Sequence, residues 1–177
     1  MVIDDKNGGA RPQLTENSMM GRVILAMTMM AAAAAFGAEP EPQDSYSSDL
    51  SRVYWGYHQV LTQKEVCDAA VPATRAANGA AFSAWQSQHK TLVEELQRRV
   101  TAMIRRASTD EKDYTRNLGK YEGAIFQERQ EYRDSLMKLD VKDLRGQCQR
   151  MATVLKSPEA DLSKVYAEEL ETIRKRK

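Results

Sequence analysis

The sequence predicts an all-α protein: a helical bundle built around a long antiparallel helical hairpin and tied by one disulfide. Three observations carry this expectation. Ala, Glu, Gln, Arg, Lys, Leu and Met, the residues that enter a helix at least cost, dominate the chain, and the β-branched runs that strands favour are missing. Glycine and proline are few, nine and five in 177 residues. Apolar residues recur at steps of three and four over long stretches, the spacing that gathers them on one face of a helix.

Composition sets the frame. With 42% hydrophobic and 29% charged residues, the chain suits one soluble domain with an ordinary core. Lys and Arg number 26 and Asp and Glu 25, a net charge of +1. No global field draws in nucleic acid or a membrane surface.

Residues 19–38 read as a secretory signal peptide. Val23 to Phe36 (VILAMTMMAAAAAF) carries no charge, Arg22 precedes it, and the small pair Gly37-Ala38 follows. The run is shorter than the roughly 20 apolar residues that span a bilayer, so no stable membrane span is expected once it is removed. An uncleaved anchor is the rival reading. Residues 1–18 make a poor signal start because their charges cancel. They are expected to be an untranslated or dispensable extension, with synthesis starting at Met19 or Met20. Cleavage near Gly37 or Ala38 would remove three basic and three acidic residues and leave the net charge at +1.

The mature chain opens with 39–48 (EPEPQDSYSS), expected to be a flexible leader because it has little to bury. A single helical domain is expected over 49–177. The first helix, about 49–67, carries Leu50, Val53, Tyr54, Tyr57, Val60 and Leu61, with Asp49 or a nearby serine as cap. A second opens around Pro72 and carries the longest stripe: Phe82, Trp85, His89, Leu92, Leu96, Val100 and Met103. Ser108-Thr109-Asp110-Glu111 matches a capping box and starts a third helix to about Leu139. Its stripe is Tyr114, Leu118, Tyr121, Ile125, Tyr132, Leu136 and Leu139. These two long helices form the predicted hairpin. Asp140 caps a fourth helix with Val141, Leu144, Cys148, Met151 and Leu155 on its stripe. Ser157-Pro158-Glu159 restarts a last helix carrying Leu162, Val165, Tyr166, Leu170 and Ile173.

Cys67 and Cys148 are the only cysteines. A pair of thiols in an exported chain implies a disulfide; two buried free thiols are the alternative. Their spacing does not suit a redox-active C-x-x-C pair.

Patterns that carry chemistry are missing. His58 and His89, the only histidines, fall in no zinc-binding pattern. No serine lies in a G-x-S-x-G context. Carboxylates interleave with Lys and Arg, as in Glu94-Glu95 before Arg98-Arg99, the mark of a solvated, ion-paired helix surface. No catalytic residue, metal site or cofactor is expected. Arg98-Arg99 and Arg105-Arg106 read as a solvated face and not as a nucleic-acid site. Trp55 points off the stripe of the first helix and is a candidate contact anchor, although covering a neighbouring helix is the default reading of it. With Tyr57, Trp85 and His89 it makes up the candidate partner-contact set, although a partly buried structural role is the default for His89.

The stretch Cys67-Asp68, Pro72, Ala76, Ala80-Ala81-Phe82 and Trp85, followed far downstream by Cys148, resembles a pattern in small exported two-cysteine helical proteins of Gram-negative bacteria. In that pattern a Cys is followed by a Pro and then by an A-x-x-x-W helix. The resemblance implies a periplasmic location and the disulfide, and it brings no site residues with it.

The function expected is a periplasmic helical protein-interaction module, of an inhibitor, immunity or adaptor kind. Its partner is another protein, with a homodimer on the long stripes as one form. The rivals are an envelope structural or chaperone-like protein, and a small-ligand binder or enzyme with an interhelical pocket.

Overall fold

A computed structural model describes residues 45–176. The expected signal 19–38, the extension 1–18 and residues 39–44 of the leader lie outside the described residues. Those described form six α-helices and no strand: α1 (Ser45–Ala70), α2 (Arg75–Arg106), α3 (Glu111–Met137), α4 (Val141–Val154), α5 (Leu162–Val165) and α6 (Ala167–Lys175). Two 3₁₀ turns, Pro72–Thr74 and Pro158–Ala160, precede α2 and α5.

α1 begins earlier than its composition suggests. Ser45–Ser48, expected to end the leader, are its first residues. The cause is Tyr46, whose ring is buried in the core with the Arg176 guanidinium 5.4 Å from its centre. Burying an aromatic ring outweighs the modest helix preference of serine. Asp49 therefore lies inside the helix and does not cap it.

The buried residues of α1 fall on every side of the helix: Leu50, Val53, Gly56, Thr62, Val66 and Cys67. Three helices cover it. α2 runs antiparallel: Tyr57 stacks on Trp85 at 6.1 Å, Lys64 lies 5.8 Å from the Phe82 ring centre, and Arg75 donates to the Asp68 carbonyl at 2.8 Å. α3 runs parallel: Tyr121 approaches Ser51, and further along Arg129 donates to the Thr62 hydroxyl at 3.2 Å and to both Glu65 carboxylate oxygens at 2.8 Å. α6 runs antiparallel, with Tyr166 on Gly56 and Arg52 paired to Glu169 at 3.2 Å. α2 and α3 thus form the predicted antiparallel hairpin, and α1 lies along it.

The α2 stripe is as predicted. Phe82, Trp85, His89, Leu92, Leu96 and Val100 are buried, and Met103 packs partly against the core. The α3 stripe points inward but is wetter: only Leu136 is fully buried, while Tyr114, Leu118, Tyr121 and Tyr132 are half-covered. The capping box is shifted. Asp110, not Ser108, caps α3 by accepting from the Asp113 amide at 2.8 Å, and Asp113 reaches back to accept from the Thr109 amide at 3.0 Å. Ser108 instead closes α2 by donating to the Ile104 carbonyl at 2.7 Å. Asp140 caps α4 as expected, accepting from the Lys142 amide at 2.8 Å.

The predicted last helix is broken twice. Ser157 opens only a 3₁₀ turn, and its buried hydroxyl makes no hydrogen bond among the described residues. Asp161 is the working cap, accepting from the Ser163 amide at 3.0 Å. The second break falls at Tyr166 (φ −114°, ψ 34°), whose ring lies against α1 where Gly56 has no side chain. A Cβ at Gly56 would stand 2.6 Å from Tyr166 ring and hydroxyl atoms. α6 is then held on α2 by Glu95, which pairs with both Arg99 (2.9 Å) and Arg174 (3.0 Å), and by Arg99 donating to the Ile173 carbonyl at 2.9 Å.

Cys67 and Cys148 form a disulfide that closes a sequence separation of 81, and both are fully buried. Asn78, also buried, adds a polar link to the same point: its amide donates to the Cys148 carbonyl and to the Thr74 hydroxyl, each at 3.0 Å.

Two stability predictions follow from this packing. Replacing both Cys67 and Cys148 with Ala should lower stability by about 4 kcal/mol, the loop-closure entropy of so long a loop, read as a drop in the urea midpoint; an unchanged midpoint would contradict it. Gly56→Ala should cost about 1–3 kcal/mol by overpacking against Tyr166, and Gly56→Ala combined with Tyr166→Leu should recover part of the loss.

Candidate interaction surface

The candidate contact residues divide between core and helix interface. Trp85 and His89 are each 2% exposed and present no surface to a partner. For Trp85 this corrects the expected partner contact, whereas His89 takes the buried place that was its default reading; the reason is local. Trp85 sits where α1, α2 and the segment before α5 converge. Its indole N–H donates to the Ala160 carbonyl at 2.6 Å, and its ring stacks on Tyr57 and Phe82 (5.9 Å) with His89 at 4.9 Å. Tyr57 is half-buried, and its hydroxyl accepts from Gln86 at 3.2 Å. Trp55 is apart from these three. It lies half-buried on another side of α1, edge-on to Tyr132 of α3 at 6.3 Å, and so fills a helix–helix interface.

The two histidines are structural. His58 meets the rings of Tyr54 and Tyr57 edge-on, at 4.6 and 5.4 Å. Both of its ring nitrogens are buried and have no hydrogen-bond partner among the described residues. Burial first, and then the Arg129 guanidinium, pushes its pKa down to about 4, with Glu65 opposing. Burial also lowers that of His89, against a smaller pull from Asp161. Burial raises the pKa values of Tyr54 and Tyr132, pushes Tyr121 up to about 12, and raises that of Glu128 on the same helix as Tyr121. No group of three or more His, Cys, Asp or Glu among the described residues is arranged to hold a metal ion.

The accessible features lie elsewhere. Phe126 on α3 is 63% exposed, Met137 at its end 54%, and Val141 at the start of α4 71%. Val154 and Val165 are exposed as well. Val141 and Val165 were expected on buried stripes. Val141 is the first residue of α4 and lies a turn ahead of Leu144, the first of the helix to be buried; Val165 ends the one-turn α5, where Tyr166 takes the chain away. Around Met137 and Val141 stand Lys138, Lys142 and Arg145, all exposed. Beside Arg145 is a recess of about 360 Å³ between the α1–α2 turn and α4, lined by Val71, Pro72, Ala73, Arg145 and Gln149 among others. Nothing in the sequence pattern marked this corner. Lys138, Lys142 and Arg145 interleave there with Asp140 and Asp143, as on any solvated helix face.

No protein-family model, curated protein or solved structure matches the chain.

A pH prediction follows from the histidines. Their folded-state pKa values lie below the unfolded value of 6.5, so the folded chain binds fewer protons. That contribution is complete above about pH 6.5 and is lost as the pH falls towards 4. Stability should fall by on the order of 1–2 kcal/mol from pH 7 to pH 5 on account of His58, seen as a lower melting temperature. His58→Phe should flatten this dependence; an equally steep one in the variant would contradict it.

Proposed function

We propose that this chain is a protein-interaction module of the cell envelope, of the inhibitor, immunity or adaptor kind, with no catalytic activity of its own. The observation that carries the reading is the division of its aromatic and apolar groups. The rings and stripes capable of forming a pocket are used up in the core, while Phe126, Met137 and Val141 are left in solvent on one helix and the turn after it. Phe126, Met137 and Val141 are the exposed apolar side chains that a partner would cover on this reading. The stripe of α2 is covered within the chain itself, which leaves the α3–α4 side for the contact.

Export is part of the reading. A fully buried disulfide between distant helices suits an oxidising compartment, and the apolar segment 23–36 is the means of reaching the periplasm.

The test is photo-crosslinking in intact cells. A photoreactive residue in place of Phe126, Met137 or Val141 should give one discrete adduct with an envelope protein, and one in place of Lys90, on the outer face of α2, should give none. If positions 126, 137 and 141 react no more than 90, or if the protein is recovered from the cytosol with both thiols reduced, the reading fails.

A further inference from the structure

The interaction reading leaves the partner's chemistry open, and the α4 corner narrows it. Lys142, Arg145 and Gln149 are spaced three and four residues apart, so they share one face of α4. Arg145 and Gln149 form one wall of the recess, and the apolar turn Val71-Pro72-Ala73 forms the other. Neither Lys142 nor Arg145 takes part in an ion pair among the described residues. The nearest carboxylates along the chain, Asp140, which accepts from the Lys142 amide at the helix start, and Asp143, form no ion pair with either of them among the described residues. Lys142 and Arg145 are exposed, and their side chains are free to meet an incoming carboxylate.

We propose that this recess and the basic face beside it dock an acidic segment of the partner protein, one apolar side chain entering between Val71, Pro72 and Arg145 while flanking carboxylates meet Lys142 and Arg145. The proposal rests on the interaction reading and supplies its site and partner class. Two features favour a polypeptide over a lipid surface. The site is concave, and its wall carries planar guanidinium and amide groups that read a carboxylate by direction as well as by charge. The exposed apolar residues nearest the recess along the chain, Met137 and Val141, are not those that anchor a helix at a bilayer interface, and Phe126 lies about three turns further back on α3.

The test uses the purified protein with its disulfide intact and a short fluorescein-labelled peptide of repeating Glu-Glu-Leu. Its counterpart with lysine for glutamate is the control, alongside phosphatidylcholine vesicles with and without phosphatidylglycerol. The acidic peptide should bind with an affinity that falls as salt rises, and the lysine peptide should not bind. Binding should weaken about tenfold in Lys142→Glu/Arg145→Glu, which removes the charge, and also in Ala73→Trp, which fills the recess, with melting temperatures unchanged in both. No binding of the acidic peptide, equal binding of both peptides, or unweakened binding by either variant overturns the proposal. So does binding to the anionic vesicles in place of the peptide. A cross-link at Val141 that survives in Lys142→Glu/Arg145→Glu would leave the interaction reading standing and reject only the acidic segment.

Discussion

The architecture depends on the covalent tie between Cys67 and Cys148. These residues sit near the end of the first helix and in the middle of the fourth, and without the bond only packing would join them across the long hairpin between. The bond lies at the foot of the bundle, fully buried, with Asn78 of α2 donating to the carbonyl of the same Cys148. α1, α2 and α4 are thereby fixed at one point. The recess between the α1–α2 turn and α4 exists because this point is fixed, and so does the direction in which Lys142 and Arg145 face.

The other end of the bundle is organised by close approach and charge. Gly56 lets the Tyr166 ring lie on α1, which breaks the C-terminal segment into α5 and α6 and returns α6 along α1 and α2. Glu95 then serves two arginines from different helices, and Arg174 in particular holds its carboxyl below the usual range. α6 is short and exposed on its outer side, so these contacts, with buried Leu170 and Ile173, are what seat it.

What could be read in advance follows from how one-sided each helix is. α2 has one wet face and one dry one, so its stripe from Phe82 to Met103 was legible residue by residue. α1 is covered on three sides, and its helical residues from Ser45 onward depend on a tertiary partner for Tyr46 that no local pattern reveals. The disulfide was legible because the chain has only two cysteines and one expected compartment. The fate of Trp85 was half-legible: its stripe position foretold burial, but the hydrogen bond to Ala160, 75 residues away, did not show. Trp55 was placed off the main stripe, and of its two readings the structure agrees with the default one, the cover of a neighbouring helix, here α3. The capping box at 108–111 failed because Asp110, two residues on, offered a carboxylate to the same turn. The α4 corner was hidden for a related reason. A recess is a property of two segments, here 70–74 and 145–149, and its lining residues are unremarkable in either one alone.

The position of the disulfide also decides how the molecule would respond to tension. A pull applied between the two ends of the described chain would pass from Cys67 directly to Cys148 through the sulfur bridge. The span between them, a sequence separation of 81 that holds all of α2 and α3, lies off that line and would carry no load. At roughly 3.5 Å per extended residue, about 280 Å of chain is withheld from stretching. Force would peel away only the first helix and the C-terminal part, so a chain strained between two attachments would keep its central hairpin folded.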